Sequence, residues 1–319
     1  MASGGSKKVV IAALAGNTLI AVTKFLAAGF TGSSAMFSEA IHSTVDTGNQ
    51  VLMLYGIHRA ARPADAAYPF GYGREVFFWA FVVAILIFAL GAGVSVYEGV
   101  AKISHPEPVA HPYVNYIVLA LAMAFEAGAW WIAVKAFRTT KGRRGYLDAI
   151  RVSKDPTVFT VLMEDSAALL GLLIAFAGIA LSDALDRPAL DGLASILIGL
   201  ILAAAAAILA YETKGLLIGE GAAPRVVAGV RRIVAAGRGI ERINEVLTMH
   251  MGPRDVLLTL SLDFRDGLSS GQIEDAVSDL ERRIKAAFPE ITRVFIEAQD
   301  WRGHRLDKRP TPDDGDRPG

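Results

Sequence analysis

Two long runs of residues without a formal charge constrain this chain more than any other feature. Val76 to Tyr97 is an uncharged run of 22 residues, and Gly192 to Tyr211 is one of 20 residues. A helix needs about 20 apolar residues to cross the hydrocarbon core of a bilayer. Both runs therefore predict membrane-spanning helices, and the charged fraction of the chain, 20%, fits an integral membrane protein.

Four further segments are long enough to cross a bilayer, although polar residues interrupt them. They run from about Val9 to Phe30, Met36 to Ile57, Tyr113 to Phe137 and Pro156 to Ser182. We therefore predict a transmembrane domain of six helices within residues 1–212. Nearly all basic residues of the connecting loops fall on one side of these helices, and only Lys102 and Arg187 fall on the other. Cytoplasmic loops carry such an excess, so both termini are predicted to face the cytoplasm, with a bacterial inner membrane as the expected location.

The chain changes character near Glu212, where charged residues become frequent. Residues 213–301 are predicted to form a small cytoplasmic α+β domain with the order α-β-β-α-β. Its second helix begins at a capping box formed by Ser269 and Gln272. The predicted elements are a helix from Pro224 to Gly237, strands from Glu245 to Met251, Val256 to Phe264 and Ile291 to Glu297, and a helix from Ser269 to Phe288. The tail, residues 302–319, is rich in Pro, Asp and Arg and is predicted to be disordered.

Ionisable residues interrupt two of the predicted membrane helices. An ionisable side chain near the centre of a bilayer costs at least about 2.5–3.5 kcal/mol, so each one needs a reason. The fifth helix contains Glu164 and Asp165, which point about 100° apart. On the second helix His42 and Asp46 lie one turn apart and can reach a single ion. The polar residues on this one stripe of the second helix are Glu39, His42, Asp46 and Asn49.

An imidazole beside two or three carboxylates suits a divalent first-row metal, with zinc as the leading candidate. The simpler interpretation is a hydrogen-bonded network that only locks the helices together. Because acidic groups are present on two separate helices, we favour a metal site buried between the second and the fifth helix. The absence of cysteine excludes thiolate ligands. Zero net charge argues against a nucleic-acid partner, and no nucleotide-binding motif or catalytic nucleophile is recognisable, so no enzyme activity is expected.

Three segments of this chain resemble the cation diffusion facilitator family, and within it the zinc transporter nine branch. They are GSSAMFSEAIHSTVDTGNQ, RPADAAYPFGYGRE and SKDPTVFTVLMEDSAALLG, and the resemblance extends over about residues 7–300. It implies a homodimeric, proton-coupled exporter with no tightly bound cofactor, whose transported substrate is Zn²⁺ or a related ion such as Co²⁺, Fe²⁺ or Mn²⁺. In the family pattern, two helices each contribute two ligands spaced four residues apart. His42 and Asp46 match the first pair, and Asp165 matches the second member of the other pair.

The sequence departs from that family pattern at three places. Val161 stands four residues before Asp165 and cannot bind a metal, so Glu164 is the nearest replacement. A peripheral site common in the family would fall on Asp65, Tyr68 and Tyr72, and tyrosine is a poor zinc ligand near neutral pH. We therefore predict that this peripheral site is absent. Of the histidines that would bind metal in the soluble domain, only His250 is present, so metal binding there is not expected.

The sequence leaves three other functions open: a proton-coupled transporter of an organic substrate, a metal-binding sensor or scaffold that does not transport, and a passive channel. Metal ligands must lose their protons before they bind, so His42 and the carboxylates would link metal movement to proton movement by alternating access. Two further charged residues, Lys24 and Glu126, face each other or a water-filled cavity in the functional interpretation, and a helix-packing pair or snorkelling side chains are the preferred interpretation.

Overall fold

The computed structural model describes residues 3–106, 112–141, 145 and 154–307. The chain separates into two compact units, Met1–Leu217 and Ile218–Gly319, close to the predicted domain boundary at residue 212. Each unit contains its own cluster of buried apolar side chains.

The first unit is helical, and each of its helices contains one of the six predicted membrane segments. The helices are α1 (Ser3–Thr31), α2 (Ser34–Ala60), α3 (Glu75–Ser104), α4 (Pro112–Lys141), α5 (Pro156–Ala184) and α6 (Ala189–Ile218). Helix α3 includes a π-helical segment, Ile87–Ala92, which the sequence pattern did not predict. Such segments occur singly within α-helices and change the direction of the side chains that follow them.

In the part of the chain that the structure describes, four helices are long and apolar enough to cross a membrane. They are Glu75–Ser104, Tyr113–Lys135, Phe159–Ala184 and Ala189–Ile218. This result confirms a membrane-embedded helical domain. The crossing of all six helices stays a prediction, because α1 and α2 are not among the four.

A hydrogen-bonded cluster joins the start of α2 to the start of α6 through the fully buried side chain of Asp191. Its carboxylate accepts hydrogen bonds from the hydroxyls of Ser33 at 2.8 Å and Ser34 at 3.0 Å. It also accepts from the backbone N–H groups of Ser34 at 2.8 Å and Ala35 at 3.4 Å. The first N–H groups of a helix have no partner within the helix, and a negative charge is favourable at this end. Asp191 therefore caps α2 from a different helix.

Two more contacts gather other helices at the same end of the first unit. The hydroxyl of Thr31, the last residue of α1, donates to Asn115 near the start of α4 at 2.8 Å. Lys102, near the end of α3, donates to the backbone carbonyl of Gly32 at 3.0 Å. The end at which α1 finishes and α2 begins is therefore held together by side-chain hydrogen bonds; we call it the α1–α2 end.

The second unit combines helices with a three-stranded sheet. Its elements are α7 (Pro224–Ala235), β1 (Ile240–Gly252), β2 (Asp255–Phe264), α8 (Ser270–Ala287) and β3 (Ile291–Ala298). Strand β2 is central, antiparallel to β1 and parallel to β3. This confirms a small C-terminal domain with the predicted order α-β-β-α-β. The capping box is also present, because Ser269 Oγ accepts from the N–H of Gln272 at 3.3 Å and Gln272 Oε1 accepts from the N–H of Ser269 at 2.9 Å.

The core of the second unit follows the alternation of β2. Side chains at every second position point to the same face of a strand, and this face is buried beneath the two helices. The buried side chains are Val256, Leu258, Leu260 and Leu262 of β2, Val226, Val230 and Val234 of α7, and Leu280 and Ile284 of α8.

The predicted disordered tail begins in the structure as a short helix, α9 (Trp301–Asp307). The N–H of Trp301 donates to Asp263 Oδ2 at 3.1 Å, and the Arg242 guanidinium lies 4.7 Å from the centre of the Trp301 ring. His304 is buried. Contacts with the sheet therefore order a segment whose composition is polar, and residues 308–319 lie outside the described part of the chain.

Candidate metal-binding site

The polar stripe predicted on α2 is buried in the first unit. Glu39 and Asn49 have no exposed surface, His42 is 2% exposed and Asp46 is 5% exposed. His42 Nε2 lies 3.3 Å from Asp46 Oδ2, without hydrogen-bond geometry. The helical spacing of four residues therefore places the imidazole and the carboxylate side by side, as the sequence predicts.

The two acidic residues of α5 have different surroundings. Glu164 Oε1 accepts a hydrogen bond of 2.8 Å from the side-chain amide of Asn49 on α2. Asp165 is buried and makes no such bond among the described residues. Asp46 is close enough to Glu164, Asp165 and Glu126 for their charges to interact with its own. Acidic groups from three helices therefore meet in one buried region.

The structure does not bring the predicted ligands into a complete metal site. Within the residues that it describes, no three His, Asp or Glu side chains are arranged closely enough to hold one ion. The predicted residues instead fall into two pairs: His42 with Asp46 on α2, and Glu164 with Asp165 on α5.

Several buried polar atoms of these residues lack hydrogen-bond partners in the described part of the chain. They are both ring nitrogens of His42, Asp46 Oδ1, Asn49 Oδ1 and Asp165 Oδ2. A buried polar atom without a partner costs about 1–3 kcal/mol, and most buried polar atoms in proteins are paired. Nitrogen and oxygen atoms with free lone pairs are what a divalent first-row metal requires, so the donor set fits such an ion.

The sequence analysis missed the partner of Lys24. Its ammonium group contacts Glu39 Oε2 at 3.0 Å and Ser43 Oγ at 2.8 Å, and neither charged side chain has exposed surface. Glu126, the predicted neighbour of Lys24, interacts with it by charge but without an ion-pair contact in the described structure. The three-residue spacing of Glu39 and His42 pointed to the correct face of α2. It contained no information on which neighbouring helix supplies the cation.

The loop between α2 and α3 contains the three positions of the peripheral site that the sequence predicts to be absent. Asp65 Oδ2 accepts a hydrogen bond of 2.6 Å from the hydroxyl of Tyr72, and Asp65 Oδ1 accepts from the N–H groups of Ala67 and Tyr68 at 2.9 and 2.8 Å. The hydrogen bond from Tyr72 lowers the pKa of Asp65, and the backbone hydrogen bond from Tyr68 lowers it further. Asp65 therefore stabilises the loop through hydrogen bonds from its own neighbours.

Comparison with known proteins identifies a family whose members are similar to this chain. The sequence model of the cation efflux transmembrane domain matches residues 10–218. The chain is 32% identical over 291 residues to the proton-coupled zinc antiporter SLC30A9, mitochondrial, of Xenopus laevis, which covers 89% of this chain and 52% of the relative. Identity to the protein of the same name in Homo sapiens is also 32%, over 299 residues, 93% of this chain and 49% of the relative. Metal tolerance protein C4 of Arabidopsis thaliana is 27% identical over 261 residues, 81% of this chain and 57% of the relative.

The chain spans about half the length of these relatives. The family model describes cation efflux, and the names of the two antiporters describe transport rather than catalysis, which agrees with the prediction that the chain is not an enzyme. The names of the two antiporters also include a mitochondrial location. The expectation of a bacterial inner membrane is therefore not supported.

Proposed function

The chain belongs to the cation efflux family of transmembrane cation transporters, and we propose that it exports divalent metal ions in exchange for protons. Zinc is the first candidate for the substrate, ahead of Co²⁺, Fe²⁺ and Mn²⁺, because imidazole and carboxylate ligands suit it. The names of the antiporter relatives, which describe proton-coupled zinc transport, support this choice.

The observation that carries the proposal is the buried pair of His42 and Asp46 facing the acidic groups of α5. Their unpaired polar atoms would be costly in a purely structural network. A divalent ion bound by His42, Asp46 and Asp165 would engage these atoms together. Glu164 would become the fourth ligand by exchanging its hydrogen bond with Asn49 for the metal.

Proton exchange follows from the chemistry of these ligands. Imidazole and carboxyl groups bind a metal only after they have lost their protons, so metal uptake releases protons. On the opposite side of the membrane, protons return to the same groups and displace the metal. Alternating access would then be a change in the distance between α2 and α5, which carry the two halves of the site.

The proposal also includes the membrane topology, the oligomeric state and the partners of the chain. Six helices within residues 1–212 cross the membrane, and the excess of basic residues in one set of loops supports cytoplasmic termini. Residues 213–301 join two copies of the chain into a homodimer. Lipid, metal ion and protons are the other partners, and neither a nucleic acid nor a nucleotide is needed.

The experiment is zinc uptake into liposomes that contain the purified full chain and a trapped zinc indicator. Wild-type uptake should respond to an imposed pH gradient, whereas Asp46→Ala and Asp165→Ala should abolish it. His58→Ala, an exposed position at the end of α2, is the matched control.

Each alternative function predicts a different result in this assay. Zinc binding without uptake would indicate a sensor or scaffold, and uptake that ignores the pH gradient would indicate a channel. Undiminished uptake in both aspartate variants would remove the assigned site.

A further inference from the structure

The buried ion pair of Lys24 and Glu39 lies between the candidate metal site and one end of the helical unit. Glu39 is closer than His42 to Ser34, the first residue of α2, by three residues or about 4.5 Å of helix rise. Asp46 lies a further turn away from that end. An ion that moves from the His42–Asp46 pair toward the α1–α2 end therefore reaches the level of Glu39 next.

The contact of Glu39 with α5 independently leads to the same position for Glu39, between the metal-ligand candidates and the α1–α2 end. The Glu39 carboxylate faces Gly171, where an added Cβ atom would lie 2.4 Å from Glu39 Oε1. Gly171 follows Asp165 in the direction of Ala184, the last residue of α5. A short connection joins Ala184 to α6, whose Asp191 caps α2 at the α1–α2 end. Glu39 is thus nearer to that end than the metal-ligand candidates of both helices.

The two oxygens of Glu39 differ in their contacts. Oε2 contacts the Lys24 ammonium at 3.0 Å. Oε1 is buried and has no hydrogen-bond partner among the described residues, and it occupies space that exists because residue 171 lacks a side chain. A buried carboxylate requires a cation or a proton, and here one oxygen remains available to a second ligand.

Lys24 contacts a second polar group in addition to Glu39. Its ammonium donates to Ser43 Oγ at 2.8 Å, on the turn of α2 that follows Glu39. The other titratable groups whose charges interact with Lys24 are His42 and Asp46 of α2 and Glu126 of α4. A cation that arrives at Glu39 would therefore meet the Lys24 ammonium of α1, which also has the Ser43 hydroxyl as a partner.

We propose that Glu39 is a transient ligand for the divalent cation on the path between the His42–Asp46 pair and the α1–α2 end. When the cation is absent, the Lys24 ammonium forms an ion pair with the Glu39 carboxylate in its place. The inference rests on the proposed function. The departing cation binds Glu39 as Lys24 releases this carboxylate and keeps its contact with Ser43, and Lys24 returns to Glu39 after the cation has left. Lys24 thereby closes the path between transport cycles.

The test separates equilibrium zinc binding from zinc flux, both measured on the purified chain. Zinc binding in detergent reports on the deeper ligands, so Glu39→Gln should leave its Kd within about threefold of wild type. Zinc uptake into phosphatidylethanolamine–phosphatidylglycerol liposomes should fall by about tenfold in the same variant. A tenfold change in rate corresponds to ~1.4 kcal/mol in the height of the transport barrier. Lys24→Met should instead raise zinc flux in the absence of a pH gradient, and Lys24→Arg should restore wild-type behaviour.

Gly171→Ala provides a second variant that keeps every charged group. The new methyl group must displace the Glu39 carboxylate, which is the flexible end of its side chain, so folding is preserved. Uptake should fall as it does in Glu39→Gln. Gly29→Ala is the matched control, because no atom lies within 4 Å of its added Cβ.

Wild-type uptake and wild-type pH dependence in both Glu39→Gln and Gly171→Ala would overturn the inference. It would also fail if Lys24→Met and Glu39→Gln each lowered both the melting temperature and the flux and the double variant restored both, as a purely structural pair predicts. Neither result would affect the proposed function, which is tested separately by wild-type uptake, its response to the pH gradient, and the Asp46→Ala and Asp165→Ala variants.

Discussion

Asn49 on α2 donates a 2.8 Å hydrogen bond to Glu164 on α5, and both side chains are buried. The bond connects the two helices that carry the candidate ligands. It also distinguishes Glu164 from Asp165, because the amide engages one carboxylate and leaves the other with an unpaired oxygen within the described structure. The two neighbouring acids of α5 therefore have different roles in this conformation.

Replacing Asn49 by Leu should destabilise the helical unit. The substitution leaves the buried Glu164 carboxylate without its donor, at a cost of about 1–3 kcal/mol. Thermal unfolding in detergent measures the loss. Thr47→Val is the control, because the Thr47 hydroxyl bonds only to the Ser43 carbonyl of its own helix in the described structure. Equal melting temperatures for the two variants would show that the bond contributes nothing to stability.

Replacing His42 by Asp should change the metal preference. Imidazole favours zinc, whereas carboxylate oxygens suit manganese. We expect the ratio of zinc to manganese affinity to fall by roughly tenfold, equivalent to ~1.4 kcal/mol. Competition calorimetry measures the ratio, with His58→Asp as a control at an exposed position. An unchanged ratio would exclude His42 from the ligands.

The Asp65 loop should respond to acid rather than to metal. The Tyr72 hydroxyl lowers the pKa of Asp65, so the ionised, hydrogen-bonded loop is fully favoured above the ordinary carboxyl pKa of about 3.9. This contribution is lost as the pH falls through the lowered folded-state pKa. A carboxyl NMR titration should place the Asp65 midpoint higher in Tyr72→Phe than in wild type. Equal midpoints, or a zinc-induced shift of the Asp65 signal, would contradict this assignment.

Replacing Asp191 by Ala should destabilise the α1–α2 end. The change removes the acceptor of two hydroxyls and two backbone N–H groups at the start of α2. Loss of a charged hydrogen-bonding partner of this kind costs about 1.5–3 kcal/mol. Hydrogen exchange at Ser34 and Ala35 should accelerate accordingly, whereas Asp183→Ala, an exposed position on α5, should leave it unchanged. Unaltered exchange in Asp191→Ala would show that α2 needs no such cap.

The sequence was sufficient for the positions of the six long helices and for the order of the C-terminal elements, but it did not indicate the π-helical segment of α3. Length and apolar composition indicate the long helices of the first unit. The order of helices and strands in the C-terminal domain follows from local periodicity and from the capping box at Ser269. The polar stripe of α2 was also predictable, since a helix rotates by 100° per residue. These features depend on residues that are close together in the chain.

The partners across helices were not predictable from the sequence. The contacts of Lys24 with Glu39, Asn49 with Glu164, and Asp191 with Ser34 join residues from different helices. Helix rotation gives the direction of each side chain, but the identity of its neighbour depends on how the helices pack. The ordered start of the C-terminal tail was missed for the same reason, because Trp301 is held by contacts with the sheet.

Asp191 has one further consequence for how the bundle can move. Separating the start of α2 from the start of α6 would break the four hydrogen bonds that the Asp191 carboxylate accepts in the described structure. We therefore expect the start of α2 and the start of α6 to keep their relative position when the bundle moves.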